Sequence, residues 1–459
     1  MPPAGQSLVD TLRTSLAHIL MSREGPALRP GTRSYARSWI RDGAMMSESL
    51  LRLGHDRAAA DYLRWYAPNQ YDNGKIPCCV DARGSDPVAE NDSHGEFAFL
   101  AGQVWRYGRD QALARAIWPK VDAALAYQER LRQTERNLAN FTPDRRPRYG
   151  LMPPSISHEG YSDKPAYSYW DDFWALEGFR SGAGPAADLG EAAAAARWRA
   201  AEAELRADIA ASVTAADHAF HIDFVPGAAD RGDFYATSTT VGLAPGDGAT
   251  TLDPHIVRNT FERQWRNFVE RRDGGKPWVD YTPYELRIVG AFVRLGWRDR
   301  VQALLDFYLA GRRPLAWNGW AEVVGRLPRE IRFIGDMPHA WISSDYIRSA
   351  LDLFYYDRAA DGVLVLAAGI PPAWLGAKGI TIHDIRTPYG LLGYSLRQRG
   401  RDLSLTLSET ARPPGGFVLS WPLSTKPPAT ARIDGRIVHL RDRELRIPAT
   451  ARKVVLQRP

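Results

Sequence analysis

The chain is 459 residues long, 44% hydrophobic and 24% charged, with a formal net charge of +6 at pH 7. This length is too great for one ordinary core and implies two domains or one large repetitive one. No run of about 18 apolar residues is present, so no spanning helix is expected, and the lack of a basic stripe interleaved with aromatics argues against nucleic-acid binding.

From the N-terminus, Met1-Pro2-Pro3-Ala4-Gly5-Gln6 has neither the basic nor the apolar region of a secretory signal, which points to the cytoplasm. Amphipathic helices are expected near 6–21, through Met46, Leu50 and Leu53 up to Gly54, and through Phe97, Leu100, Val104 and Tyr107. Cys78 and Cys79 are adjacent and give no disulfide framework. Further helices are expected near 112–135, 166–180, 187–213, 254–271, 283–296, 298–310 and 343–357. The loops between them are unequal in length and rich in Gly, Pro, Asp and Trp, which is where a helical array carries function. After Asp361, alternating runs such as Leu403-Ser404-Leu405-Thr406-Leu407 and Lys453-Val454-Val455-Leu456, set apart by Pro and Gly turns, predict a β-sandwich. The expected division is a helical domain over 1–360 and a β-domain over 361–459.

Helix capping sorts the chain's 53 acids. Ser93-His94-Gly95-Glu96 reads as a capping box, which makes Glu96 structural. Thr282-Pro283-Tyr284-Glu285 repeats the device, so Glu285 is set aside as well. Asp171 and Asp172 fall in a first helical turn, where a carboxylate relieves the macrodipole. Glu159, in Ser157-His158-Glu159-Gly160-Tyr161, and Glu322, in Trp320-Ala321-Glu322-Val323-Val324, have no such duty. One protonated and one ionised carboxyl form the pair that hydrolyses a glycosidic bond with inversion. In Ser38-Trp39-Ile40-Arg41-Asp42-Gly43, Arg41 and Asp42 fit equally a grip on vicinal sugar hydroxyls beside the Trp39 indole or an N-cap with a surface arginine. The acidic stretch from Asp81 to Asp92 lacks EF-hand spacing, the histidines are dispersed, and no phosphate-binding glycine loop is present, so neither a metal nor a cofactor is expected.

Taken in order, these segments resemble the six-hairpin, (α/α)6-barrel glycosidases, most closely those of glucoamylase-type layout. Trp39-Ile40-Arg41-Asp42-Gly43 is similar to that group's Trp-Pro-Arg-Asp segment, and Asn91-Asp92-Ser93-His94-Gly95-Glu96 to its Gln-Leu-Asp-x-Tyr-Gly-Glu segment. The Glu159 loop falls at the place of the general acid, and Trp320-Ala321-Glu322 with Met337-Pro338-His339-Ala340-Trp341 resembles the general-base loop. The chain departs from the group at His158, where Trp is frequent, and at Ala321 and Val323, which flank Glu322 where Ser and an acid or amide are frequent. The tail Gly369-Ile370-Pro371-Pro372-Ala373-Trp374-Leu375 resembles the C-terminal domains of related rhamnosidases and sugar phosphorylases.

The resemblance implies a mainly α protein, an (α/α)6 toroid followed by a smaller C-terminal β-sandwich. The implied activity is that of an inverting, exo-acting glycoside hydrolase that needs no cofactor and acts on an oligosaccharide or polysaccharide. Glu159 would be the general acid and Glu322 the base. Arg41, Asp42 and Asp92 would grip the sugar, with Trp39, Trp170 and Trp320 as walls. The rival readings are a polysaccharide lyase with Tyr161 or His158 as its base, a phosphorylase, and a non-catalytic glycan-binding protein.

Overall fold

The structure is a computed structural model and describes residues 3–157, 161–277, 280–327, 335–423, 425–441 and 443–457. The helices are α1 (Pro3–Met21), α2 (Ile40–Arg52), α3 (Asp56–Tyr66), α4 (Ser93–Gly108), α5 (Gln111–Glu135), α6 (Tyr169–Asp188), α7 (Ala192–Phe220), α8 (Ala236–Thr239), α9 (Pro254–Arg272), α10 (Arg287–Arg294), α11 (Arg298–Ala310) and α12 (Ala340–Asp352). None among the described residues is long and apolar enough to cross a membrane.

Burial sorts these helices into two layers. Along α7 a single stripe is buried at helical period, including Ala195, Trp198, Ala201, Leu205 and Ile209, the mark of a helix with one face on a core. By contrast α2, α4, α6 and α12 are buried on nearly every side, as expected of an inner layer covered by an outer one. Neighbours among the inner elements follow in turn: α2 packs on α4, α4 on α6 and α6 on α8. The turn Thr240–Gly242 that extends α8 then meets α10, α10 meets α12, and α12 returns to α2. The crossing of α4 and α6 depends on two glycines. A Cβ on Gly95 would lie 2.0 Å from the Trp174 carbonyl oxygen, and one on Gly178 would lie 2.5 Å from the Gly95 Cα.

Short ladders brace the loops ahead of the inner helices. They are β1 (Ser38–Trp39) with β2 (Cys79–Asp81) and β3 (Gly84–Ser85), β4 (Ser155–Ser157) with β5 (Tyr161–Ala166), and β6 (Asp280–Tyr281) with β7 (Val324–Gly325). The C-terminal strands are β8 (Tyr355–Arg358), β9 (Val363–Leu366), β10 (Ile380–Thr387), β11 (Gly390–Arg399), β12 (Asp402–Ser408), β13 (Phe417–Ser420), β14 (Thr430–Ile433), β15 (Arg436–His439), β16 (Glu444–Ile447) and β17 (Lys453–Gln457). They form a six-stranded sheet in the order β10-β11-β12-β17-β14-β15 and a four-stranded sheet in the order β16-β13-β9-β8, in which β13 and β9 run parallel. Along β12, Leu403, Leu405 and Leu407 point into the core while their neighbours face outward, as the alternation in sequence predicts.

Two differences from the sequence reading have local causes. The single helix expected over 343–357 ends at Asp352, and Tyr355-Tyr356, a β-forming aromatic pair, opens β8. Strand structure therefore begins before residue 361. The unpredicted helix α3 buries Ala58, Ala59, Tyr62, Leu63 and Tyr66 at helical spacing, a pattern present in the sequence but interrupted by Asp61 and Arg64.

Arg52, in the last turn of α2, ties the helices to the C-terminal sheets. Its Nη1 donates to Asp352 Oδ1 at 2.9 Å, its Nε to the Tyr355 hydroxyl at 3.1 Å and its Nη2 to the Tyr355 carbonyl at 3.2 Å. The guanidinium also stacks on the Tyr355 ring, 4.8 Å from its centroid. Because this cation is buried with its partners, Arg52→Ala is expected to lower unfolding free energy in urea by about 3 kcal/mol. Arg64→Ala, which removes an exposed pair with Asp61, should change it by less than about 0.5 kcal/mol. Similar small losses for both would contradict the anchoring role.

Candidate active site

The first turns of five inner elements meet around two buried arginines. Arg41, at the start of α2, donates from Nε to Asp92 Oδ2 at 3.2 Å, just ahead of α4. The indole N–H of Trp170, at the start of α6, donates to the same oxygen at 2.9 Å. Arg287, which opens α10, lies over the Trp170 ring at 5.0 Å and over the Trp341 ring at 4.7 Å. Trp341, at the start of α12, is in turn covered by Arg41 at 5.1 Å. The contacts thus close a circuit from Arg41 through Asp92, Trp170, Arg287 and Trp341 back to Arg41.

Carboxyls outnumber cations on this floor. Arg41 pairs with Asp42 at 3.2 Å, with Asp92 and with Glu90, while Arg287 is held by Asp345 at 2.8 Å. Burial works against the charge of Arg41, but Glu90, Asp92 and Asp42 outweigh it and hold its pKa well above the usual range. For the acids, burial dominates. It pushes Asp42 up to about 7 against the pull of Arg41, with Glu90 and Glu322 adding to the rise. Asp92 is raised by burial, and Glu96 and Asp171 are raised well above the usual range by burial and the nearby Asp92. Asp172 is pushed up to about 8 by burial, with Asp208 adding and the Met152 N–H and Arg132 opposing. Among the described residues, neither Glu96 oxygen has a hydrogen-bond partner and Asp171 Oδ1 has none, while Ser155 Oγ donates to Asp171 Oδ2 at 2.6 Å.

Glu322 lies half-buried above this floor, between two phenols. The Tyr35 hydroxyl donates to its Oε2 and the Tyr284 hydroxyl to its Oε1 at 3.1 Å. Burial, then the Glu322 carboxylate, pushes the Tyr35 phenol far up, so it remains a donor. Asp336 delivers Tyr35: its carboxylate accepts from the backbone N–H groups of Arg33, Ser34 and Tyr35 at 2.8, 2.9 and 3.0 Å, which against the effect of burial keep its pKa below the usual value. Gly335 (φ +71°) backs Glu322 so closely that a Cβ there would lie 2.6 Å from the Glu322 Cβ. The β6–β7 ladder, with Tyr281 opposite Val324, brings the Glu322 loop beside Tyr284. Between the two tyrosines sits His339, edge-on to both at 5.5 and 6.0 Å. Its Nδ1 accepts the Ile342 N–H as the cap of α12, and burial lowers its pKa to about 3, so the ring is neutral.

The expected site residues separate on these contacts. Asp42, Asp92, Glu322 and the half-buried Trp39 come together, with Trp39 edge-on to Tyr35 at 5.9 Å. Arg41 is not the exposed arginine of the capping alternative; its side chain is 4% exposed and holds acids in place. Trp170 is fully buried and orients Asp92, so its face is not a wall. Trp320 lies elsewhere: its N–H donates to the Tyr308 carbonyl at 2.8 Å and its ring packs on Tyr346. Glu159 and His158 lie outside the described residues.

Capping arguments misplaced two acids, Glu96 and Asp42. Because α4 begins at Ser93, Asp92 occupies the cap position and Glu96 falls too far into the helix to close a box. Because α2 begins at Ile40, Asp42 lies inside the first turn and is no N-cap. Glu285 is structural, but through a two-bond fork from Arg271 at 2.6 Å each. In the Asp81 to Asp92 stretch, Asp81 and Asp86 are taken by Arg37, and Glu90 and Asp92 by Arg41.

No family model matches the chain, and no curated protein matches it in sequence. Its fold is similar to those of solved glycosidases. A rhamnosidase from Klebsiella oxytoca with rhamnose bound aligns with a TM-score of 0.53 over 74% of this chain and 63% of its own, at 15% identity. The α-L-rhamnosidase from Dictyoglumus thermophilum gives 0.56 over 98% of this chain and 49% of its own, at 10% identity. A glycosidase variant in complex with glucose gives 0.57 over 77% and 98%, at 15% identity. The chain spans less than two thirds of the length of either rhamnosidase, and at these identities the likeness is one of fold.

The floor gives a pH signature. Asp42 ionises near pH 7 in the folded chain but near 3.8 when unfolded. Between those values the folded state keeps a proton that the unfolded state has released, so stability falls as pH rises through this window and levels off above it. Asp42→Asn removes that loss. Its stability relative to the parent chain is expected to be roughly 2–4 kcal/mol more favourable at pH 8 than at pH 4, read from urea unfolding at both pH values. A difference that does not change with pH would contradict the assignment.

Proposed function

We propose that this protein is an inverting, exo-acting glycoside hydrolase that removes a terminal sugar from an oligosaccharide or polysaccharide. In this reading the inner and outer helices form an (α/α)6 toroid of glucoamylase-type layout, followed by a β-sandwich, with the division moved from 360/361 to the Leu353-Phe354 link before β8. The observation that carries the proposal is Glu322: a half-buried carboxylate aimed by two phenol donors, above a floor of carboxyls whose pKa values burial raises.

Glu322 is the base. Its two oxygens are oriented by Tyr35 and Tyr284, and it takes a proton from the water that attacks the anomeric carbon. Glu159 is the general acid and gives a proton to the leaving oxygen from the opposite face of the ring. Its role rests on the resemblance of the segment that carries it; of the described residues before it, Ser155 fastens β4 to Asp171 at the start of α6. Inversion asks for about 6.5–9.5 Å between the two carboxyls, room for one water. Asp42 and Asp92 provide hydrogen-bonding groups at the pocket floor, Arg41 fixes their geometry, and Trp39 borders the rim beside Tyr35.

The lyase reading loses support at its proposed base. The Tyr161 hydroxyl donates to Asp233 Oδ2 at 2.6 Å, and burial together with that carboxylate pushes its pKa far up. A phenol so held is a poor proton acceptor at neutral pH.

Glu322→Gln and Glu159→Gln are each expected to lower the hydrolysis of neutral glucosides and rhamnosides by 10²-fold or more, on the order of acid–base contributions elsewhere. Trp320→Phe should retain most of the rate once folded. Near-normal turnover by either glutamine variant would overturn the catalytic assignment. A requirement for inorganic phosphate, or an unsaturated ultraviolet-absorbing product, would replace hydrolysis by phosphorolysis or elimination. Sugar binding without turnover in the parent chain would leave a glycan-binding protein.

A further inference from the structure

The chain's charge is unevenly placed. Residues 361–459 hold 15 Lys and Arg against 7 Asp and Glu, whereas residues 1–360 hold 44 against 46. The excess of positive charge therefore belongs to the C-terminal part, and it is unspent there. Arginines of the helical part such as Arg132, Arg287 and Arg294 are matched to carboxylates. Among the described residues, the exposed Arg397, Arg399, Arg432 and Lys453 form no ion pair.

Strand register collects these four on one face of the six-stranded sheet. Along β11, β12, β17 and β14, Leu396, Leu405, Val454 and Ile433 point inward, so their neighbours Arg397, Ser404, Val455 and Arg432 point outward. The ladders set these side by side: Arg397 lies opposite Ser404, Ser404 opposite Val455, Val455 opposite Arg432, and Arg432 opposite Ile437 of β15. At about 4.8 Å per strand, Arg397 and Arg432 stand roughly 14 Å apart. Lys453 and Arg399 lie one outward position along, beside Thr406 and Asp402. Arg401 at one end of the strands, with Arg436 and Arg452 at the other, adds to the same positive field. The carboxylates set among them are Asp402 and Asp434, and Asp434 is occupied by the backbone N–H groups of Arg452 and Lys453 at 3.2 and 2.8 Å.

The side chains of this face select among polyanions. Single-stranded nucleic acid is gripped by stacking its bases on aromatic side chains, and the outward strand positions carry no Phe, Tyr or Trp among the described residues. Duplex DNA is read by an element that enters a groove, which a sheet face does not. A membrane surface asks for apolar anchors beside basic groups, and Ile437 is the one large apolar side chain left exposed on the described part of this face. What the face offers is arginine forks, which match carboxylates in two-bond geometry. Between them Ser404, Thr406, Thr430 and Gln457 present hydroxyl and amide groups that suit the hydroxyls of a sugar chain. We propose that the outer face of the six-stranded sheet is a docking surface for an acidic polysaccharide that bears carboxylates, held outside the candidate active site. The choice of a glycan over other polyanions rests in part on the hydrolase reading; the binding itself needs no turnover.

The test is calorimetric titration of the full chain with polygalacturonate. Binding is expected, and it should weaken as salt is raised, because exposed charges are screened. Arg397→Gln, Arg432→Gln and Lys453→Gln together should weaken it about ten-fold or more, the scale of one lost charge-assisted hydrogen bond. Arg13→Gln, Arg57→Gln and Arg115→Gln remove the same charge from the helical surface and should change it by less than about two-fold. All six residues are exposed, so both variants are expected to fold. No binding of polygalacturonate, no loss in the first variant, or equal loss in both overturns the proposal, as does tighter binding of single-stranded DNA or of phosphatidylglycerol vesicles than of the polysaccharide. The first variant should hydrolyse small glycosides at the parent rate, so failure of this surface and failure of the hydrolase reading are separate results.

Discussion

The circuit of first-turn contacts through Arg41, Asp92, Trp170, Arg287 and Trp341 is the constraint on which the rest of the structure depends. It joins the starts of α2, α4, α6, α10 and α12, elements far apart in the chain, by two cations lying over indole faces and one carboxylate oxygen shared between an arginine and a tryptophan. Each member is buried, so removing one strands its partners in a poorly solvating interior. The loops that rise from these first turns carry Tyr35, Tyr284 and Glu322, and inherit their positions from it.

The same constraint sets the electrostatics. Arg41 answers Asp42, Glu90 and Asp92, and Arg287 is engaged by Asp345. What remains, Glu96 and Asp171 above all, is pushed well above the usual carboxylate range by burial and the nearby Asp92, more than Arg41 offsets at Glu96. The floor therefore offers protonated carboxyls with unpartnered oxygens. Glu322, by contrast, reaches partial solvent and two hydroxyl donors. Burial thus raises the floor carboxyls, Glu96 and Asp171 above all, while Glu322 above them is oriented by its two hydroxyl donors.

Much of this was legible in the sequence, and the failures are physical. Helical periodicity found most of the outer helices and α12's apolar face, and strict alternation found β12 and β17, because one-faced burial writes a period into the chain. The inner helices α2 and α4 also showed apolar residues at helical spacing, though their burial on nearly every side was not visible. For α6 the run Tyr169 to Trp174 reads as aromatic bulk, and only the fold shows that Trp170 spends its N–H on Asp92. Glu322 and Asp42 were found through setting and resemblance. Tyr284 went unnoticed because its segment reads as a cap, and Asp336 because its three backbone partners, Arg33 to Tyr35, lie some 300 residues away in sequence. Glu96 was set aside by a capping box one residue out of register, an error smaller than the usual uncertainty of a helix start.

The most direct test of the central claim is the anomeric configuration of the sugar at the instant of release, followed by proton NMR from the start of hydrolysis before mutarotation scrambles it. A base at Glu322 acting through water, opposite an acid across the ring, predicts a first-formed sugar of configuration opposite to that of the glycoside. A first-formed sugar with the substrate's own configuration would contradict the account, because it requires a covalent intermediate on a carboxylate and not a water held by Glu322.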